Sequence, residues 1–235
     1  SGVDVFRGGA GVDTVDYSVE SPFQLLVNLE TNVAAGGTGS GDTFDSIENL
    51  IGSDDRIDRF VGNGAANQLA GNGGNDQLVG GSGNDTLDGG DGNDLLRGQD
   101  GVDVFRGGAG IDTVDYSQES PFQLLVNLQT NVANGGTASG DTFYSIENLI
   151  GSDDRIDRFI GTSAANHFWG QGGGDYFNGR GGNDILDGGR DGDILYGEGG
   201  NDTIIGGAGQ DYMNGGAGND TVDYTNSSAG VTVDL

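Results

Sequence analysis

An acidic side chain returns every nine residues through most of this chain. The series runs Asp4, Asp13, then Asp58, Asn67, Asp76, Asp85, Asp94, Asp103 and Asp112. After a gap it resumes with Asp157, Asn166, Asp175, Asp184, Asp193, Asp202, Asp211 and Asp220. Of these 17 positions, 15 are Asp and two are Asn, and the residue two places further on is always apolar, as in Phe6, Leu78, Leu87, Phe159 and Met213. No clustered acid and base stands out from this ladder, so turnover chemistry is not what the pattern suggests. Many equivalent carboxylates beside glycine-rich stretches such as GGSGNDTLD (80–88) suit the binding of hard cations instead.

The elements that position these side chains follow from the nonamer. Six residues of turn and three of x-apolar-x cannot make a helix, and the glycines at positions one, two and four allow positive φ. A strand about three residues long needs copies of itself to pair with, which predicts a parallel stack. Two nonamers then form one coil with two opposed strands, apolar side chains between them. Like residues recur every 18 positions, about 4.8 Å apart. Asp85 therefore lies between Asn67 and Asp103, and Asp76 between Asp58 and Asp94.

A coarser duplication has an offset of 99: GVDVFRGGAGVDTVDYS (2–18) returns as GVDVFRGGAGIDTVDYS at 101–117, and SPFQLLVNL (21–29) unchanged at 120–128. SIENLIGSDDRIDRF (46–60) returns at 145–159, and a third copy begins at GGAGNDTVDY (215–224). This gives repeat units at 1–100, 101–214 and 215–235, expected to form one continuous solenoid cut from a longer array. SPFQLLVNL reads as a strand and NVAAGGTGSGD as a loop. Asn49/Ile51 and Asn148/Ile150 hold the nine-residue phase, so 16–57 and 115–156 read as longer, degenerate coils.

Composition bounds the rest. The 235 residues include 50 Gly, 37 acidic and 9 basic residues, for a net charge of −28. The acids divide into 31 Asp and 6 Glu, and Lys is absent. Glycine entropy and self-repulsion both oppose folding, and 33% hydrophobic residues make too small a core to offset them. The chain is either disordered or completed by bound cations. A basic patch for nucleic acid is missing. With no Cys there is neither a disulfide nor thiol redox chemistry, and no apolar run of ~20 residues spans a membrane.

Ca²⁺ fits the ladder best, since it takes six to eight oxygens, carbonyls included, in irregular geometry. Mg²⁺ demands an octahedron and keeps its waters. Zn²⁺ wants Cys or His, and the chain has one His.

GGSGNDTLD and its neighbours resemble the glycine-rich nonapeptides of the RTX (repeats-in-toxin, hemolysin-type) proteins. The resemblance covers 1–15, 62–114 and 161–222 well and the remainder only in phase. It implies an all-β parallel β-roll, or β-solenoid, with Ca²⁺ between turns, held by position-six Asp residues 18 apart and by turn carbonyls. The doubly acidic pairs are Asp58/Asp76, Asp76/Asp94, Asp85/Asp103, Asp94/Asp112, Asp157/Asp175, Asp175/Asp193, Asp184/Asp202, Asp193/Asp211 and Asp202/Asp220. Asn67 and Asn166 depart from the pattern and are expected to make weaker sites, and Arg190 adds a positive charge near one.

Roughly 8–12 Ca²⁺ ions are expected in all. At ~1 mM Ca²⁺ and dissociation constants of ~10⁻⁴ M, nine sites contribute on the order of 13 kcal/mol, comparable with a whole domain's stability.

His167 reads as a partly exposed residue beside the ladder. The Tyr of DYS (Tyr17, Tyr116, Tyr224) reads as cover for the roll's edge, and GSDDRIDRF as a coil edge where Arg offsets carboxylates. The resemblance implies a non-catalytic calcium module of a large secreted or surface-attached bacterial protein, of a kind exported unfolded by a type I system. DTFDSIENLIGS followed by nonapeptides also looks like the calcium modules of alginate epimerases. That makes an accessory glycan-binding module the alternative, with extracellular polysaccharide or a cell surface as partner. The fragment is expected to be monomeric.

Overall fold

The computed structural model describes residues 2–19, 24–118 and 123–234. It divides into two compact units, Ser1–Val114 with Asp141–Ile146, and Asp115–Gly140 with Glu147–Leu235. Both are parallel stacks of short strands. Among the described residues the helical content is two 3-10 turns, Gly37–Gly39 and Gly136–Ala138, and no helix is long and apolar enough to cross a membrane.

In the first unit one column of parallel strands runs Thr14–Asp16, Asn49–Ile51, Gln68–Gly73, Thr86–Asp91, Val104–Ala109 and Thr142–Tyr144. A second runs Leu26–Asn28, Arg59–Val61, Gln77–Ser82 and Leu95–Asp100, with Thr113 and Val114 paired onto Leu95 and Leu96. Through the nonapeptides the register steps by 18, Leu69 to Leu87 to Phe105 and Leu78 to Leu96 to Val114. The second unit repeats this, with Phe168, Leu186, Ile204 and Val222 in one column and Phe159, Phe177, Leu195 and Met213 in the other.

Apolar position eight is the core. Leu78, Leu87, Leu96, Phe105, Phe159, Phe177 and Leu195 are fully buried, because period-two alternation in a strand sends the residues on either side of each to the outer face. One turn residue adds an outer lock: Val102 and Ile111 donate their N–H to Oδ1 of Asn84 and Asn93, 18 residues earlier, both at 3.0 Å. This accounts for the Asn that so often precedes the ladder Asp.

The glycines divide by role. Position two is left-handed, as at Gly90 with φ 102°. Position one is not, contrary to the expectation that it supplies positive φ. A Cβ on Gly89 would run into the Asp94 carboxylate, so that glycine is needed for room.

The connecting segments differ from the expected in-phase coils. Leu50, rather than Ile51, stacks between Val15 and Leu69. The phase therefore slips by one residue there, and Glu48 rather than Asn49 takes the ladder place, accepting the Asp13 N–H at 2.9 Å. Chain geometry causes the slip: a tight corner with Ser46 in the left-handed region, φ 58°, replaces the six-residue turn. The same one-residue slip recurs in the second unit, where Leu149 pairs with Phe168, 19 residues on. SPFQLLVNL does supply strands, Leu26–Asn28 and Leu124–Asn127, while its Ser-Pro-Phe residues at 21–23 and 120–122 lie outside the described residues. NVAAGGTGSGD is more than a loop, because Val33–Ala35 folds back antiparallel on Leu26–Asn28.

Leu87→Ala, at a fully buried column position, is expected to lower folding stability by about 2–5 kcal/mol, read from chemical denaturation of the calcium-loaded chain. A loss below about 0.5 kcal/mol would mean that this column is not the core.

Candidate metal centre

The stacking that aligns the core also aligns position six. In the first unit the N–H of Asp58 donates to Oδ1 of Asp76 at 2.7 Å, that of Asp76 to Asp94 at 2.7 Å, and that of Asp94 to Asp112 at 2.9 Å. On the opposite edge Asn67 donates to Asp85 and Asp85 to Asp103, both at 2.8 Å. The second unit has the runs Asp157–Asp175–Asp193–Asp211 and Asn166–Asp184–Asp202–Asp220, at 2.7 to 3.1 Å. The residues paired at a spacing of 18 are thus brought together, one oxygen of each acceptor carboxylate being bound to the previous coil's backbone.

The other oxygen is left over. Oδ2 of Asp76, Asp85, Asp94, Asp103, Asp175, Asp184, Asp193, Asp202 and Asp211 is buried with no hydrogen-bond partner, as is that of Asp13. Each lies beside the bare Cα of the position-one glycine five residues earlier. A Cβ built on Gly71 would press on Asp76 Oδ2 and come within 2.7 Å of the Gly89 carbonyl oxygen, and one on Gly197 would meet Asp202 Oδ2 and the Gly215 carbonyl in the same way. A carboxylate oxygen and a main-chain carbonyl oxygen from the next coil therefore face one small space. Buried polar atoms are costly without a partner, and an all-oxygen, anionic donor set suits a hard cation such as Ca²⁺. Among the described residues no three His, Cys, Asp or Glu side chains converge on one point. A bound cation must therefore complete its shell with carbonyls of the glycine-rich turns.

Electrostatics agree. Burial first, and neighbouring carboxylates after it, push Asp76, Asp103, Asp184 and Asp193 up to about 7. Burial lifts Asp85 to about 6, and Asp175, flanked by Asp157 and Asp193, to about 9. Negative charge at these positions needs a compensating cation or a proton.

The remaining ladder residues differ. Asp58 has both oxygens taken, Oδ1 by the Leu25 N–H at 3.1 Å and Oδ2 by the Ser53 N–H and hydroxyl at 2.6 and 3.0 Å. Asp157 is held alike by Leu124 and Ser152. Asn67 accepts the Asn63 N–H at 2.8 Å and donates to the Glu48 carbonyl at 2.6 Å, while Asn166 pairs with Thr162 and the Glu147 carbonyl. Asp4 is exposed and its N–H donates to Asp42.

Asp42 and Asp141 are buried members of the ladder, accepting the N–H of Asp4 and Asp103 at 2.8 Å from 38 residues away. The period of nine misses them and Glu48. Their one signal is the triplet Asp-Thr-Phe (42–44, 141–143), the same D-x-apolar unit out of phase.

Tyr17 is buried with its hydroxyl on Asp42 at 3.1 Å, whereas Tyr224 is exposed. The half-buried His167 ring stacks on Trp169, and burial holds its pKa down at about 4. Arg190 reaches the Asp153 carbonyl at 2.8 Å and the Asp154 carboxylate at 3.7 Å.

Compared with curated proteins, the chain matches none. The family model described as RTX calcium-binding nonapeptide repeat (4 copies) matches residues 1–18, 53–87, 79–114, 152–186 and 187–222. Those segments contain every residue named above with a bare carboxylate oxygen, together with the closed Asp58, Asn67, Asp157 and Asn166, and they make up more than half of the chain. It belongs to the RTX calcium-binding nonapeptide repeat family.

Proposed function

We propose that this calcium-binding repeat module is a folding switch, extended where calcium is scarce and setting into a β-roll as several Ca²⁺ ions bind outside the cell. Its role is structural, adhesive or secretion-assisting within a larger secreted bacterial protein, without catalysis of its own. The observation that carries the reading is the run of buried Asp Oδ2 atoms without protein donors, in a chain of net charge −28. A cation beside each supplies the missing partner and relieves the repulsion between coils. RTX repeats are typical of secreted bacterial proteins, and export through a type I system suits a chain that stays unfolded inside.

Circular dichroism decides this. In excess EGTA at pH 8 the strand signal is expected to be lost, and to return cooperatively as free Ca²⁺ rises toward about 1 mM. An unchanged strand signal in EGTA would overturn the reading.

Protons should stand in for calcium. Burial pushes Asp85 up to about 6, Asp76 and Asp103 to about 7 and Asp175 to about 9 in the roll, against about 3.9 in an unfolded chain. Protonation therefore favours the roll, fully below the unfolded value, and this contribution disappears as pH rises through about 6 to 9. Strand signal in EGTA should return as pH falls from 8 toward 4.5, and the half-saturating Ca²⁺ concentration should rise below pH 7. Absence of both effects would mean the carboxylates are not buried in the folded state.

A second reading, an accessory glycan-binding module, is favoured by one face of the second unit. Tyr176, Tyr196 and Tyr212 lie in a row with ring centroids 5.7 and 5.6 Å apart. The Arg158 guanidinium sits 4.9 Å from the Tyr176 ring centre. By register the exposed Ile194 lies between Tyr176 and Tyr212, and Tyr196 between Asn178 and Asn214. Ring faces suit sugar C–H surfaces and amides suit hydroxyls. Affinity electrophoresis of the calcium-loaded chain against neutral and uronate polysaccharides should show retardation that Tyr196→Ala weakens. No retardation on any of them would remove this reading.

A further inference from the structure

The buried ladder residues whose side-chain oxygens are closed by protein donors sit, in each unit, where the connecting segment joins the nonapeptide coils. In the first unit Asp42 is closed by the Asp4 N–H and the Tyr17 hydroxyl, and Asp58 by Leu25 and Ser53. Asn67 is closed by Asn63 and by its own amide donating to Glu48. In the second unit Asp157 and Asn166 are closed in the same manner.

The Asn side chain is the informative one. Where a regular coil places a carboxylate whose second oxygen needs a cation, Asn67 and Asn166 present an NH₂ group that donates to the adjoining carbonyl. Neither residue leaves a buried oxygen bare, and their amides are uncharged, so neither calls for a counter-ion. The connectors are also richer in core. Between 24 and 67 Leu25, Val27, Leu29, Ala34, Phe44, Ile47, Leu50 and Phe60 are buried in the first unit, and Leu124, Val126, Leu128, Ala133, Ala138, Leu149 and Phe159 in the second, against one apolar core residue per nonapeptide. Apolar burial and closed polar groups are what a coil needs to stand without metal.

We propose that the connector segments, 24–67 in the first unit and 123–140 with 147–166 in the second, whose strands Leu26–Asn28 and Leu124–Asn127 pair with Arg59–Val61 and Asp157–Ile160, fold without calcium. They are then the templates onto which the nonapeptide coils add as calcium binds. A template removes the cost of nucleating a stack whose single coils are unstable alone, so calcium has only to extend a preformed register. This rests on the calcium reading above, and the test separates the two.

Hydrogen–deuterium exchange of the full chain, resolved by peptide, is measured in EGTA and in millimolar Ca²⁺. In EGTA the peptides spanning 43–67 and 148–166 should exchange at least about tenfold more slowly than those spanning 77–100 and 194–217, and calcium should slow all of them. Equally fast exchange everywhere in EGTA would overturn the template while leaving calcium-dependent folding intact. Slow exchange everywhere in EGTA would overturn both. Asn67→Asp with Asn166→Asp restores the regular ladder residue and removes the amide donors. It should speed connector exchange in EGTA about tenfold, the scale of a lost buried hydrogen bond, with calcium restoring protection. Asp85→Asn, within the regular coils, should leave connector exchange in EGTA unchanged. Connector protection in EGTA that survives the double substitution would show that the amides do not close these coils.

Discussion

Everything in this protein depends on stacking like charges. A coil repeat of 18 residues puts each ladder carboxylate about one strand spacing from the next, and two unit charges about 5 Å apart repel by roughly 3 kcal/mol at an effective dielectric of about 20. Burial makes this worse, since the carboxylates are taken out of water together with the core. The backbone answers half of the problem by giving one oxygen of each carboxylate an N–H from the coil before. The other half is left open, and the position-one glycine keeps the space beside it clear. Charge, glycine and register are thus one design: remove the glycine and the space closes, shift the register and the carboxylates no longer align.

The same constraint explains why the chain is not nonapeptide throughout. In a uniform stack every regular coil would leave a buried carboxylate oxygen bare, as Asp76, Asp85 and Asp94 do. In the connectors the tight corner at Ser46, the antiparallel pairing of Val33–Ala35 with Leu26–Asn28 and the donors from Leu25 and Ser53 replace cation by protein at specific rungs. The strand columns pass through these segments in parallel register but with unequal steps, from Phe6 to Phe44 and from Val15 to Leu50. The extra residues add apolar packing, with Leu25, Val27, Phe44 and Leu50 buried, beside the out-of-period carboxylates Asp42 and Glu48.

Family membership, a β-roll and calcium ligation are continuous with one another here, because the residues matched by the family are those that the roll aligns. The outer faces are free to differ. The tyrosine row of the second unit and the polar strip of the first, where Arg106 lies 5.8 Å from the ring centre of Tyr144, use positions that neither core nor ladder constrains. Differences in partner between such modules can be written there without disturbing the fold.

Much of this was legible in the sequence. The spacing of nine fixes the coil, because a residue's place around a regular solenoid depends only on its position in the repeat. The apolar column and the 18-residue pairing of Asp85 with Asp103 follow from that alone. What the tertiary structure decided is which carboxylates are already satisfied. Asp58 and Asp76 look alike as letters in a repeat, yet Asp58 receives donors from Leu25 and Ser53 while Asp76 keeps an oxygen bare. Asn67 reads in the sequence as a weakened ligand, and in the structure its oxygen accepts the Asn63 N–H while its amide donates to the Glu48 carbonyl. Glu48, Asp42 and Asp141 join the ladder from outside its period. The physical reason is that periodicity reports only what repeats. The donor that reaches a given oxygen from 5, 33 or 38 residues away depends on the path of the irregular chain between coils, which no local pattern encodes.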